Sequence, residues 1–137
     1  MPVQLLSPTG MAQPVPYHHV AIGTGTRQVH VAGQVGSAAA DGSPLAPDDL
    51  AGQVADALRN TATGLAGAGA TFADVVRLTV YVARWRPERM GEFLAGVEAV
   101  AAELGLPSPM PPASLIGVDV LYQPEVLVEI EATAVLP

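Results

Sequence analysis

Cysteine and lysine are both absent from this 137-residue chain. Without cysteine there are no disulfides, no thiolate nucleophile and no cysteine-ligated metal centre. Without lysine there is no P-loop lysine. Charge is scarce at 14% of residues, and the formal net charge is -7. Binding to nucleic-acid phosphates needs clustered cations, so this balance opposes a nucleic-acid partner. No apolar run approaches the ~20 residues of a membrane-spanning helix, and the N-terminus lacks the regions of a signal peptide. A soluble cytoplasmic protein is the expectation.

What is present is apolar: half of the residues are hydrophobic. A chain of this length forms one domain over residues 1–137 and buries roughly two-thirds of its unfolded surface. A small domain needs a charged surface, so this deficit points to surface covered by other subunits.

The chain is organised around its C-terminal end. Val126, Val128, Ile130, Ala132 and Ala134 alternate with Leu127, Glu129, Glu131, Thr133 and Val135, the period of a strand. The first series faces a core. The second carries two carboxylates among apolar residues, which predicts a partly covered face. The run Leu115 to Leu121 reads as a partner strand, and a turn at Tyr122, Gln123 and Pro124 closes a final hairpin.

Further upstream, residues 1 to 15 read as an arm or edge strand, with the apolar run Val3 to Leu6. Tyr17 to Ile22 and Gln28 to Val35 read as two strands of a hairpin around the turn Gly23 to Arg27. Pro47, Asp48 and Asp49 open a helix with the apolar stripe Leu50, Val54, Leu58, Ala62 and Leu65, ending at Gly67 to Gly69. Asp74 to Ala83 is a strand with Val76, Leu78, Val80 and Val82 on one face. Pro87 opens a second helix, which Gly105 ends. The order β-β-α-β-α-β-β predicts an α+β subunit, a mixed sheet with both helices on one face. The other face needs a cover, and an oligomer is the simplest one.

Three stretches together resemble the Rid family, the reactive-intermediate deaminases also called the YjgF family. They are PYHHVAIG followed by VHVAGQVG (Pro16 to Gly36), the segment from Asp49 to Val82, and VLVEIEATAV (Val126 to Val135). The resemblance implies a chorismate-mutase-like subunit, a homotrimer, and ligand clefts between neighbouring subunits. It also implies hydrolysis of imines or enamines released by other enzymes, without a cofactor. Tyr17 and Glu129 match the family's tyrosine and its water-orienting glutamate, and Gln34 stands in the matching AGQ segment. The family's carboxylate-binding arginine has no counterpart: Ser114 occupies its position in PPASLIG, and no arginine follows Arg89. Ala32 replaces the family's hydroxyl residue. These departures argue against ordinary 2-imino acids as substrates.

Each candidate residue has two readings. Glu129 is a general acid/base beside a bound water, or part of a polar stripe at a subunit boundary. Arg84 and Arg86, with Arg89 around Trp85, form a replacement anion clamp, or a solvated loop balancing Glu88 and Glu92. Ser114 is a weak nucleophile with no histidine placed to activate it, and capping or cleft hydrogen bonding is the other reading. Asp119 and Tyr122 face the same region, or are a polar strand position and a turn residue. His18 and His19 point to opposite sides of a strand and, with His30, give a weak case for a metal. The chain is thus expected to handle a small metabolite as an imine or enamine hydrolase. The alternative is a non-catalytic module that binds a metabolite or a partner on the same fold. Ribonuclease activity ranks last because of the charge.

Overall fold

The computed structural model describes residues 2–137. Its strands are β1 (Val3–Leu6), β2 (Val20–Gly23), β3 (Arg27–Gln34), β4 (Val75–Ala83), β5 (Ala113–Val118) and β6 (Val128–Leu136). Its helices are α1 (Leu50–Gly67), between β3 and β4, and α2 (Met90–Leu104), between β4 and β5. The main sheet has the order β3-β6-β4-β5, and β1 and β2 form a separate antiparallel pair. This is the expected mixed α+β architecture.

Alternation drives the central strand. In β6, Val128, Ile130, Ala132, Ala134 and Leu136 are buried, while Glu129, Glu131, Thr133 and Val135 are half-buried on the other face. Helix α1 lies on the buried side with Leu50, Val54, Ala57, Leu58, Thr61 and Leu65 inside. Each large apolar side chain buried there is worth ~1.5–3 kcal/mol relative to exposure. Asp49 caps α1 by accepting a 2.8 Å hydrogen bond from the Gly52 amide, and Gly105 ends α2 at a φ of 68°. Helix α2 packs on α1 where Gly96 leaves no room for a side chain: a Cβ there would stand 2.8 Å from Val54 Cβ.

Three expectations need correction. The turn Gly23 to Arg27 does not join a hydrogen-bonded hairpin, because β2 pairs with β1 and β3 pairs with β6. The turn runs tightly along the end of β6: the Thr26 amide donates to Leu136 O at 3.1 Å, and the Thr24 amide donates to Pro2 O at 2.6 Å. The chain thereby leaves one sheet and enters the other. The last two strands are not a hairpin either. β4 lies between them, parallel to β5 and antiparallel to β6. Helix α2 supplies the crossover that a parallel β4–β5 pair requires. The segment before β6 is instead tied to α1. Gln53 Nε2 donates to Glu125 O at 3.0 Å, and the Leu127 amide donates to Gln53 Oε1 at 2.8 Å. Finally, β4 bulges between Val75 and Arg77. The extra residue turns Val75 into the core, fully buried, and leaves Val76 half-buried.

One face of the main sheet therefore carries both helices. The other carries no helix and presents Arg77, Thr79, Tyr81, Ser114, Glu129, Glu131, Thr133 and His30, the alternate residues of four strands.

Candidate functional site

Register places the open face in rungs. Arg77, Thr133 and His30 share one; Ser114, Thr79 and Glu131 the next; Ile116, Tyr81 and Glu129 the third. The two glutamates are held differently. The Tyr81 hydroxyl donates to Glu131 Oε1 at 2.8 Å. That bond, followed by desolvation and the charges of Glu131 and Glu129, raises the Tyr81 phenol above the ordinary tyrosine range. Glu129 accepts no hydrogen bond and forms no ion pair among the described residues. Its carboxylate lies over Gly33 of β3, where a Cβ would stand 2.6 Å from its Cδ. Glycine at position 33 is thus a close approach of backbone and carboxylate.

A raised phenol favours the folded state only while it stays protonated, so its contribution is present below the ordinary tyrosine range and lost as pH rises through the raised value. We expect an alkaline absorbance titration of the three tyrosines to show one ionising late. That late component should vanish in Tyr81→Phe. Three tyrosines that titrate together near the ordinary value would contradict the Tyr81–Glu131 bond.

The remaining sequence candidates do not converge on Glu129. Tyr17 is half-buried, bridges to Met110, and stacks edge-on against His19 with ring centroids 5.3 Å apart. It shares a small cavity with Ser114, Met110 and Phe93. Ser114 is half-buried and accepts a 2.6 Å hydrogen bond from Arg77 Nη2. Gln34 turns back on its own strand, with Nε2 donating to Ala32 O at 3.1 Å. Asp119 is exposed just beyond β5.

Arg84 lines a different cavity, of about 460 Å³, between the loop from Val35 to Asp48 and the turn from Tyr122 to Leu127. Its Nη2 lies 3.4 Å from Pro124 O. Arg86 is exposed and does not line that cavity. Arg89, the third of that cluster, is buried and bound to Asp48 and Glu92. The three arginines are therefore spread over different surroundings. Among the described residues no group of three metal-capable side chains assembles. The strand expected from Tyr17 starts only at Val20, so His18 and His19 lie in the segment before β2, with His19 Nε2 2.7 Å from Ala12 O.

Three residues of the open face escaped notice in the sequence: Arg77, Tyr81 and Gly33. A signal for two of them existed. Arg77 and Tyr81 alternate with Leu78, Val80 and Val82, which puts them on the face opposite the core, the same face as Glu129.

This arrangement has relatives. A family model described as endoribonuclease L-PSP matches residues 10–136. A Yersinia pestis protein of unknown function from the conserved Rid family, YyfB, is 36% identical over 99% of this chain and 100% of that one, with a TM-score of 0.83. The chain belongs to the Rid (YjgF) family. Rv2704 of Mycobacterium tuberculosis, from the YjgF/YER057c/UK114 family, is 34% identical over 98% of this chain and 99% of that one, with a TM-score of 0.61. The E. coli YjgF product is 27% identical over 82% of this Rid chain and 83% of its own, with a TM-score of 0.65. No curated protein matches. No helix among the described residues is long and apolar enough to cross a membrane.

Proposed function

We propose that this Rid protein hydrolyses an imine or enamine of a small metabolite, with Glu129 orienting the attacking water. The observation that carries the reading is the contrast between two neighbouring carboxylates. Glu131 is engaged by Tyr81, whereas Glu129 is half-buried, without a partner among the described residues and held over Gly33 with its oxygens free for a water. Water attacks the C=N carbon as its proton passes to Glu129 and the C=N electron pair moves to nitrogen. For a protonated imine this gives a neutral carbinolamine, and Glu129 returns the proton to its nitrogen. As the C–N bond breaks, the hydroxyl proton passes to Glu129 and on to the departing ammonia, leaving a carbonyl compound and ammonium. The chemistry balances with water alone and needs no cofactor.

The helix-free sheet face fits a homotrimer whose neighbour closes the cleft. In that assembly Tyr17, remote from Glu129 within one subunit, contacts substrate from across the boundary. The arginine that the family carries where Ser114 stands is missing, so compact 2-imino acids lose their anchor. The endoribonuclease in the family description has no support in a chain of net charge -7, because a polyanion would meet a face bearing two glutamates.

The test is ammonia release from imines generated in situ from a panel of amino acids and amines. Glu129→Gln should lower turnover by ~10²-fold or more, the usual contribution of a positioned general base, without changing the oligomeric state. If wild type releases ammonia no faster than buffer across the panel, the non-catalytic binding module is the better reading.

A further inference from the structure

We infer that Arg77 is the acid anchor of this site, and that it selects ligands whose acid group is remote from the reacting carbon. This rests on the placement of the reaction at Glu129 proposed above. Arg77 is exposed on the open face of β4 and has no carboxylate partner among the described residues. Its one described bond goes to a neutral hydroxyl, Ser114 Oγ. A guanidinium has five N–H donors, so most of its fork stays available to a ligand. The nearest rung holds Glu131, whose Oε1 accepts from Tyr81 and which forms no ion pair with Arg77 among the described residues.

Arg77 also borders a built cavity. A hollow of about 470 Å³ opens between β4 and β3 across β6, lined by Arg77, Thr79, Thr133, Glu131, His30 and Ala32. Two hydroxyls and an imidazole stand beside the guanidinium, a donor set suited to a carboxylate. At its other side the hollow reaches Ala32, next to Gly33, over which the Glu129 carboxylate lies. Glu129 does not itself line the hollow, whose far end is Ala32, one residue from the Gly33 over which the proposed base lies.

Its length decides the ligand. Arg77 reaches toward β5, whereas the Glu129 carboxylate lies over β3. Those strands are three spacings apart, on the order of 14 Å. A 2-imino acid carries its carboxylate on the carbon next to the C=N and meets only one end. An acid with several bonds between carboxylate and C–N carbon meets both.

Calorimetric titration of the intact protein with glycine, 4-aminobutanoate and 6-aminohexanoate tests this, the amine standing in for the C–N group. Affinity should rise along the series, by about tenfold or more overall, the effect of one added charge-assisted contact. Arg77→Met should remove about tenfold for 6-aminohexanoate, and Arg77→Lys should restore part of it. Glu129→Gln should flatten the length preference while leaving binding dependent on Arg77. Equal binding of 6-aminohexanoate by Arg77→Met and wild type overturns the anchor. Glycine binding as tightly as the longest compound overturns the length selection. Because binding is read without turnover, an active Glu129→Gln protein would sink the water-orienting role and leave these outcomes readable.

Discussion

Arg89→Ala is expected to lower the stability of the fold by ~2–3 kcal/mol, a fall in melting temperature on the order of 8 °C. Arg89 is 8% exposed and makes four hydrogen bonds. Its Nε and Nη2 donate to the two oxygens of Glu92 at 3.0 and 2.9 Å, a bidentate fork. Its Nη1 donates to Asp48 Oδ1 at 3.0 Å, and Nη2 also donates to Asp48 O at 3.0 Å. Asp48 holds a φ of 60°, a left-handed conformation that a non-glycine residue adopts at a cost, and it immediately precedes the α1 cap. Arg89 thus pins the entry of α1 to the start of α2. Breaking a fully buried pair costs ~3–5 kcal/mol, but both carboxylate side chains here reach water and rehydrate, so the loss is smaller.

The same contact sets a pH dependence. Hydrogen bonding to Arg89, opposed by desolvation, holds the Glu92 carboxyl below the ordinary carboxylate range. A depressed carboxyl stabilises the fold at and above the ordinary range and loses that contribution as pH falls through the lowered value. Melting curves of wild type and Arg89→Ala should therefore differ most at neutral pH and approach each other in acid. A gap that stays constant into acid would assign the loss to packing of the arginine stem and not to the Glu92 pair.

What could be read from the sequence follows from which physical signals are local. The faces of β6 and of α1 were legible because burial imposes periods of 2 and 3.6 directly on the residues. The combined AGQ and EIEATAV segments then gave the family. Strand partners were not legible, since alternation specifies a face and never a neighbour. Hence β2 was assigned to β3, and β5 to β6. The bulge at Val76 was invisible for a related reason: Val75 and Val76 are both apolar, and either satisfies the core pattern. Cations cluster along the chain at Arg84 and Arg86, which makes these two the anion-clamp candidates that local sequence offers. Arg77 stands alone in sequence and gains its significance only when β5 comes alongside β4 and brings Ser114 within 2.6 Å.

Gly33→Ala carries the largest expected effect on activity for the smallest change in structure. The backbone at position 33 is outside the left-handed region, so alanine meets no conformational obstacle there. The obstacle is the Glu129 side chain. An added Cβ would stand 2.6 Å from its Cδ and 2.7 Å from its Cγ, and would overlap Oε2 as well. Because the stem collides along with the tip, rotating the carboxylate alone does not clear the clash; Glu129 must leave its rotamer. It is half-buried beside solvent and can do so with little loss of packing. Stability should change by less than about 1 kcal/mol, as at other peripheral positions. Turnover should fall by ~10²-fold, because an error of about 1 Å in a catalytic group is enough for such a loss. Gly33→Ala and Glu129→Gln should then be non-additive, since removing the carboxylate removes what the methyl displaces. A double variant much slower than either single one would mean that Gly33 serves the site independently of Glu129. A Gly33→Ala protein with full activity would mean that the carboxylate does not act from above β3.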